Sequence, residues 1–145
     1  MIETIDESLF ISRFEDYKRV VTSENPNGNF TYKGLRALFQ YLESLEDDTG
    51  DKIELDVIAL CCDYSEYQDL KEYFNNYRHE SFINEKKEEF EDLLKSDSDF
   101  NYKEDEFYNW LSEQYGEEVE EEINNNTTLI KFEDDLNEGF IIQNY

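Results

Sequence analysis

The sequence predicts an α+β fold in which several helices pack on a small, mainly antiparallel sheet of three or four strands. Over much of the chain, apolar residues recur at spacings of three and four, which indicates helices with one buried face. Near the C-terminus, apolar and polar residues alternate on either side of a turn-forming segment, which predicts a β-hairpin. The 145 residues suit a single domain over 1–145, long enough to bury a core.

The first half of residues 30–67 predicts a long amphipathic helix. Thr31 is its predicted N-cap, and Gly50 is its predicted C-terminal stop. Phe30 precedes the cap, where it can pack on the helix as a hydrophobic staple. The apolar face of this helix is formed by Leu35, Leu38, Phe39, Leu42 and Leu45.

The second half of this segment, beginning IELDVIALCC, predicts a strand over residues 53–62. Apolar and acidic residues alternate at its start, and from Val57 to Cys62 both faces are apolar, as in a strand that enters the core. Ser65 and Gln68 have the spacing of a capping box, which predicts a helix over 66–77. We expect a core of residues in mutual contact that contains Leu38, Phe39, Leu42, Val57, Ile58 and Leu60.

The elements outside this centre are predicted by the same patterns. Residues 8–22 and 103–116 have helical apolar stripes, and Gly116 is the expected end of the second helix. Residues 78–99 are interpreted as a helical insertion with a narrow apolar stripe. Residues 117–126 have little to bury, so they predict a short, weak helix or an acidic turn. The hairpin is predicted over 128–132 and 140–145, with its turn at 134–139.

The chain is strongly acidic, with 38 acidic and 13 basic residues and a net charge of −25. The net charge grows along the chain, from −5 over residues 1–50 to −9 over 51–100 and −11 over 101–145. This charge disfavours direct binding of nucleic acid or of an anionic membrane, and it favours a basic partner. An aromatic content of 16% argues against disorder. Salt adaptation is a competing cause of acidity, but a composition poor in alanine and rich in Asn, Ile and Lys favours AT-rich coding.

The sequence offers no recognisable catalytic or metal site. His79 has no Cys or His partner at ligand spacing, so a structural or surface histidine is favoured over a zinc ligand. The adjacent Cys61 and Cys62 cannot form an ordinary disulfide framework, and we expect both to be reduced, buried and slow to react. The acidic turns at 46–51 and 133–139 lack EF-hand spacing. We therefore expect no enzymatic activity, no metal and no cofactor.

The remaining signal is an array of carboxylates on two predicted helical segments. Acids three or four residues apart lie on one helix face, at separations of about 5–6 Å. Two rows at this spacing can imitate the charge density of a DNA backbone, although an ordinary acidic surface would have the same composition. The candidate partner-binding residues are Glu85, Glu88, Glu89, Glu91 and Asp92 in the first segment and Glu117, Glu118, Glu120, Glu121 and Glu122 in the second.

Two blocks of the sequence resemble a family of small acidic, mostly uncharacterised proteins of phages and other mobile elements. They are FTYKGLRALFQYLESLEDDTGDKIELDVIALCCDYSEY at 30–67 and NNNTTLIKFEDDLNEGFIIQNY at 124–145, about 60 of the 145 residues. Residues 78–99 depart from the family pattern. The resemblance implies a phage context and an α+β fold, and it implies no catalytic residue. Small acidic phage proteins as a wider group include antirestriction and anti-CRISPR DNA mimics, which is an analogy only.

These observations favour a non-enzymatic inhibitor that binds a basic, nucleic-acid-binding host defence protein, such as a restriction or CRISPR effector, and blocks its nucleic-acid site. The alternative is a phage accessory module that binds a host protein through exposed Tyr and Phe side chains without DNA mimicry. No signal peptide or membrane-spanning run is recognisable, so we expect a location in the host cytosol. The sequence leaves the oligomeric state open.

Overall fold

The computed structural model describes residues 5–76, 80–94, 104–132 and 138–144, and in these ranges six helices surround a three-stranded antiparallel sheet. This arrangement confirms the predicted α+β class. The helices are α1 (Glu7–Asp16), α2 (Tyr32–Thr49), α3 (Val57–Asp63), α4 (Leu70–Asn76), α5 (Glu80–Leu94) and α6 (Glu104–Asn126). The strands are β1 (Tyr64–Tyr67), β2 (Leu129–Lys131) and β3 (Phe140–Gln143).

The sheet has the order β1-β3-β2, and both of its pairings are antiparallel. Successive residues of a strand point to opposite faces. On the central strand, Phe140 and Ile142 accordingly enter one core cluster, while Ile141 enters the other. All three side chains are buried, so both faces of β3 are covered. The sheet is therefore the middle layer of a three-layer arrangement.

The layer on one face consists of α1, α2 and α3 and is called the N-terminal layer below. Its core includes Phe10 and Phe14 from α1, whose rings lie 5.0 Å apart. The layer on the other face consists of α4, α5 and α6 and is called the C-terminal layer. Its core is rich in aromatic rings. The ring centre of Phe90 on α5 lies 5.7 Å from that of Phe107 and 5.1 Å from that of Trp110, both on α6.

The predicted boundaries of α2 are confirmed. The Thr31 side chain accepts a hydrogen bond from the amide of Gly34 at 3.0 Å, which is the geometry of an N-cap. Gly50 has a φ of 75°, a left-handed conformation that few other residues adopt without strain, and its amide closes the helix on the Glu46 carbonyl. The apolar face predicted for the helix is buried, apart from a partly exposed Leu45.

The prediction of a strand over residues 53–62 is wrong. Residues 51–56 have no regular structure, and α3 begins immediately after Asp56, whose carboxylate accepts the Ala59 amide at 3.0 Å as an N-cap. Val57 and Leu60, three residues apart, are buried while Ile58 is 44% exposed, which is a helical and not an alternating pattern. Of the six predicted core residues, five lie in the cluster of the N-terminal layer, and Ile58 does not.

The capping box predicted at Ser65 and Gln68 is also wrong, because both residues precede the helix. Ser65 belongs to β1, the strand that begins where α3 ends. The helix that follows is capped by Asp69, whose carboxylate accepts the Glu72 amide at 2.9 Å, while Glu72 in turn accepts the Gln68 amide at 2.7 Å. Asp69 and Glu72 thus cap α4 in the way that was predicted for Ser65 and Gln68, but four residues later in the chain.

Three other predicted boundaries differ from the structure. The first helix ends at Asp16, six residues earlier than predicted, and Lys18 follows with a φ of 58°. The predicted weak helix at 117–126 is instead the second half of α6, which continues through Gly116. The hairpin is confirmed in β2 and β3, although the strands are shorter than predicted.

Some predictions lie wholly or partly outside the described residues. They concern His79, the ends of the insertion proposed at 78–99, and most of the turn at 134–139. Within the proposed insertion, residues 80–94 form α5, as predicted for its helical character. The interpretation of this segment as an insertion stays a prediction.

Candidate functional site

The outer face of α5 carries a row of four exposed carboxylates. Glu85, Glu88, Glu89 and Asp92 are exposed, at the spacing of a single helix face. Lys86 and Lys87 are partly buried and their ammonium groups lie over aromatic rings, although Lys86 also forms an ion pair with Glu89 at 3.5 Å. The Lys86 nitrogen is 3.9 Å from the centre of the Tyr115 ring, and the Lys87 nitrogen is 5.8 Å from that of Phe107. Both cations therefore contribute to the contact with α6, and Lys86 links this contact to one of the outer acids.

Helix α6 supplies a second acidic face. Its 23 residues contain no lysine or arginine. Val119 and Ile123 are buried four residues apart and fix which side faces the core. The carboxylates exposed on the other sides include those of Glu117, Glu118, Glu121 and Glu122. The helix continues on both sides of Gly116. These acids therefore belong to one long helix and do not form a separate turn.

The two acidic faces are joined by a hydrogen bond between α5 and α6. The Tyr115 hydroxyl donates to the Glu89 carboxylate, with distances of 2.7 and 2.8 Å to its two oxygens. This bond raises the pKa of the Tyr115 hydroxyl, because the adjacent carboxylate stabilises the neutral phenol. Glu117 and Glu118 follow Tyr115 by two and three residues, so the acids of α6 begin close to its contact with α5.

Two of the ten candidate residues differ from the others in their surroundings. The Glu120 carboxylate forms an ion pair with Lys131 of β2 at 2.6 Å, which ties α6 to the edge of the sheet. Glu91 is partly buried on the side of α5 that is nearer to the core residue Phe90. The other eight candidate carboxylates are exposed, namely Glu85, Glu88, Glu89, Asp92, Glu117, Glu118, Glu121 and Glu122.

The acidic face is not explained by the stability of the helices. Like charges three or four residues apart destabilise a helix by about 0.2–0.5 kcal/mol per pair. Such pairs include Glu85 with Glu88 and Glu89 on α5, and Glu118 with Glu121 and Glu122 on α6. Lys86 relieves part of this repulsion through its ion pair with Glu89 at 3.5 Å, but the positions of these pairs are themselves all acidic.

Sequence reasoning missed one carboxylate with unusual surroundings, Glu66 of β1. Its oxygens accept hydrogen bonds from the Thr31 amide at 3.1 and 3.2 Å and from the Gln68 side chain at 3.0 Å. Burial raises its pKa to about 7, although the hydrogen bonds from Thr31 and Gln68 act in the opposite direction. No motif pointed to Glu66, because its partners depend on the tertiary fold. Glu66 lies beside the start of α2, away from the acidic face. Its hydrogen bonds have a structural role, because they hold β1 against α2.

The exposure of the two cysteines differs from the prediction that both are buried. Cys62 at the end of α3 is exposed, and Cys61 is only partly buried. Burial raises the pKa of the Cys61 thiol, and the nearby Arg19 counteracts this only in part. Within the described ranges, no cluster of three or more His, Cys, Asp or Glu side chains has the geometry to hold a metal ion. No helix in those ranges is both long enough and apolar enough to cross a membrane.

Comparisons with protein-family models, with curated proteins and with solved structures gave no significant match to this chain. The similarity to small acidic phage proteins therefore stays a resemblance of two sequence blocks. The candidate site is defined by its own geometry, as the exposed carboxylates of two helices that pack on each other.

Proposed function

We propose that this protein is a non-enzymatic inhibitor whose acidic face on α5 and α6 occupies the nucleic-acid site of a basic host protein. The observation that supports it best is the row of four exposed carboxylates on one face of α5, together with the four exposed on α6, whose 23 residues contain no lysine or arginine. A restriction or CRISPR effector in the host cytosol is the kind of partner that such a face would fit, by analogy with known mimics.

The spacing of the carboxylates supports mimicry of a nucleic-acid backbone. The four outer acids of α5 extend from Glu85 to Asp92. At about 1.5 Å of rise per residue, they cover about 10 Å, or about one charge per 3.5 Å of helix. One strand of B-DNA carries one phosphate per about 3.4 Å of axis. A groove that neutralises phosphates with lysine and arginine would therefore meet a similar linear charge density on α5.

The second candidate function is binding to a host protein through exposed aromatic side chains without mimicry. It is favoured by Tyr17 and Tyr32, which are exposed on the N-terminal layer. The two candidates differ in their dependence on salt. Binding by the acidic face should weaken steeply as salt increases, whereas an interface anchored by aromatic rings should change little.

The test is capture of the partner from a host lysate at low salt, with nuclease added so that nucleic acid cannot bridge the two proteins. The informative variant reverses two exposed acids on each helix, Glu85→Lys and Glu88→Lys with Glu118→Lys and Glu121→Lys. Glu89 is left unchanged because its carboxylate holds Tyr115. We expect the variant to bind the captured protein at least about tenfold more weakly, since charge pairs are lost across the interface.

The matched control reverses four exposed acids of the N-terminal layer, Glu43, Asp47, Asp48 and Asp51, to lysine. Both variants have the same net charge, so a general effect of charge would weaken both equally. The proposal predicts that only the first variant loses affinity. Equal affinities of the two variants, or a greater loss for the control, would contradict it.

A further inference from the structure

Tyr115 of α6 contacts two charged side chains of α5 at once. Its hydroxyl donates to the Glu89 carboxylate, and its ring centre lies 3.9 Å from the Lys86 nitrogen. Lys86 and Glu89 also pair with each other at 3.5 Å, so the three side chains form a closed set, called the Tyr115 cluster below. The Lys86 side chain is 14% exposed and that of Glu89 is 44% exposed. The cluster therefore lies where the core meets the acidic face.

The neighbouring contacts of α5 with α6 join aromatic rings. Phe90 of α5 lies against Trp110 of α6, and the Trp110 ring centre is 5.8 Å from that of Tyr115 on its own helix. Apolar attraction is non-directional, so it holds two helices together without strongly fixing how one is shifted along the other. A hydrogen bond requires a defined distance and angle. The bond from Tyr115 to Glu89 therefore adds a directional contact to this helix pair.

Gly116 makes the backbone of α6 weakest next to Tyr115, because glycine is a poor helix former. Crowding does not require a glycine there. Among the described residues, the closest neighbour of an added Cβ atom would be the Leu70 side chain at 3.5 Å, which is an ordinary contact. A contact that holds Tyr115 to α5 thus restrains α6 beside its weakest point, just before the acids at Glu117 and Glu118.

We propose that Tyr115 is a positioning residue of the acidic face, which holds the carboxylates of α5 in place relative to those of α6, an inference that rests on the proposed function. Glu89 then acts through Tyr115, while Glu85 and Glu88 contact the basic partner directly. A surface that is already ordered loses less conformational freedom on binding. Tyr115 should therefore raise the affinity for a basic partner although it carries no charge.

The informative variant is Tyr115→Phe, which keeps the ring over Lys86 and removes only the hydroxyl group. Tyr32→Phe is the matched control, because the Tyr32 hydroxyl lies 3.4 Å from a carboxylate oxygen of Glu15 in the N-terminal layer. Tyrosine is neutral at pH 7, so neither substitution changes the net charge. General attraction of a basic molecule is therefore the same for the wild-type protein and both variants.

Spin labels measure the positions of the two helices in the full-length protein, with its native cysteines replaced by serine. One label is placed at Glu88→Cys on α5 and the other at Glu121→Cys on α6. We expect Tyr115→Phe to broaden the distribution of distances between the labels and Tyr32→Phe to leave it unchanged. Glu89→Ala removes the same hydrogen bond from the α5 side and should broaden the distribution as well.

Binding is measured by calorimetry at low salt, with a peptide of about ten lysines as the basic probe. Tyr115→Phe should bind the peptide at least about threefold more weakly than the wild-type protein, because ordering of the face is left to the binding step. Tyr32→Phe should bind it with unchanged affinity. NMR of ¹³C-labelled tyrosine gives a signature of the contact itself. The hydrogen bond to Glu89 raises the pKa of Tyr115, so this pKa should fall toward its ordinary value in Glu89→Ala.

Equal affinities of the two tyrosine variants for the lysine peptide would overturn the inference, as would equal widths of their distance distributions. A Tyr115 pKa that is unchanged in Glu89→Ala would also overturn it, since the bond on which it depends would be absent. The proposed function fails by a different result, namely undiminished partner binding after reversal of the four acids on α5 and α6. None of those four acids belongs to the Tyr115 cluster, so the two failures are distinguishable.

Discussion

The carboxylate of Glu66 accepts hydrogen bonds from both the backbone amide and the hydroxyl group of Thr31, 35 residues earlier in the chain. Thr31 is the N-cap of α2, so this contact fixes the start of the longest helix of the N-terminal layer against β1. The approach is close because Gly34 has no side chain there. A Cβ atom at that position would lie 1.6 Å from a carboxylate oxygen of Glu66.

We expect Glu66 to make stability depend on pH between pH 6 and pH 8. Its pKa is raised from 4.5 to about 7 in the folded protein, so folding favours the neutral form. The resulting stabilisation is fully present below the unfolded pKa and is lost as the pH rises through 7. From pH 6 to pH 8 this group should remove about 1 kcal/mol from the free energy of unfolding.

Denaturant unfolding of the wild-type protein and of Glu66→Gln at both pH values measures this effect. Glutamine keeps an oxygen that can accept from Thr31 but does not titrate. The variant should therefore lose the part of the pH dependence that is due to this carboxyl group. An identical pH dependence in both proteins would show that Glu66 is not the group responsible.

Gly34→Ala should destabilise the protein by about 1–3 kcal/mol, although alanine is a better helix former than glycine by about 1 kcal/mol. The new methyl group would displace the Glu66 carboxylate, and it would also lie 3.1 Å from the Phe132 ring. In a Glu66→Ala background the cost should become smaller, because the two substitutions are coupled. Stabilisation by Gly34→Ala in the wild-type background would show that the contact is not close.

Cys62 should react with a thiol reagent in the native protein, and Cys61 should react more slowly. Cys62 is exposed, while burial both shields Cys61 and raises the pKa of its thiol, which lowers the fraction of reactive thiolate. Mass spectrometry of partly labelled protein gives the order of reaction. Preferential labelling of Cys61 would mean that the end of α3 is oriented differently.

Leu42→Ala and Ile58→Ala should differ strongly in stability, although both residues are apolar and both were expected in the core. Leu42 is 3% exposed, so its truncation leaves a cavity and should cost about 2–5 kcal/mol. Ile58 is 44% exposed, and its truncation should cost less than about 1 kcal/mol. Similar losses for the two variants in denaturant unfolding would contradict the observed orientation of α3.

The parts of the fold that could be predicted from sequence are those specified by local signals. Thr31, Gly50 and the apolar face between them determine α2 without reference to the rest of the chain. The segment at 53–62 was misassigned because a short apolar run is compatible with both a buried strand and a helix. The deciding residue is Asp56, which fits the alternating polar positions of a strand in sequence but is the N-cap of α3 in the structure.

The candidate site was predictable in its composition but not in its geometry. Helical spacing correctly placed Glu85, Glu88, Glu89 and Asp92 on one face of α5. Spacing alone could not show that Glu120 pairs with Lys131, because that contact depends on where β2 lies relative to α6. The role of Glu66 was hidden for the same reason, since Thr31 is distant in sequence.

If the acidic face occupies the nucleic-acid site of the partner, this protein and DNA must compete for that site. The captured partner is mixed with a labelled DNA duplex that it binds, and this protein is added in increasing amounts while native mass spectrometry records the complexes. We expect DNA to be displaced as the protein binds, no species to contain all three components, and the variant with reversed acids on α5 and α6 to fail to compete. A stable complex of partner, DNA and this protein would contradict this expectation.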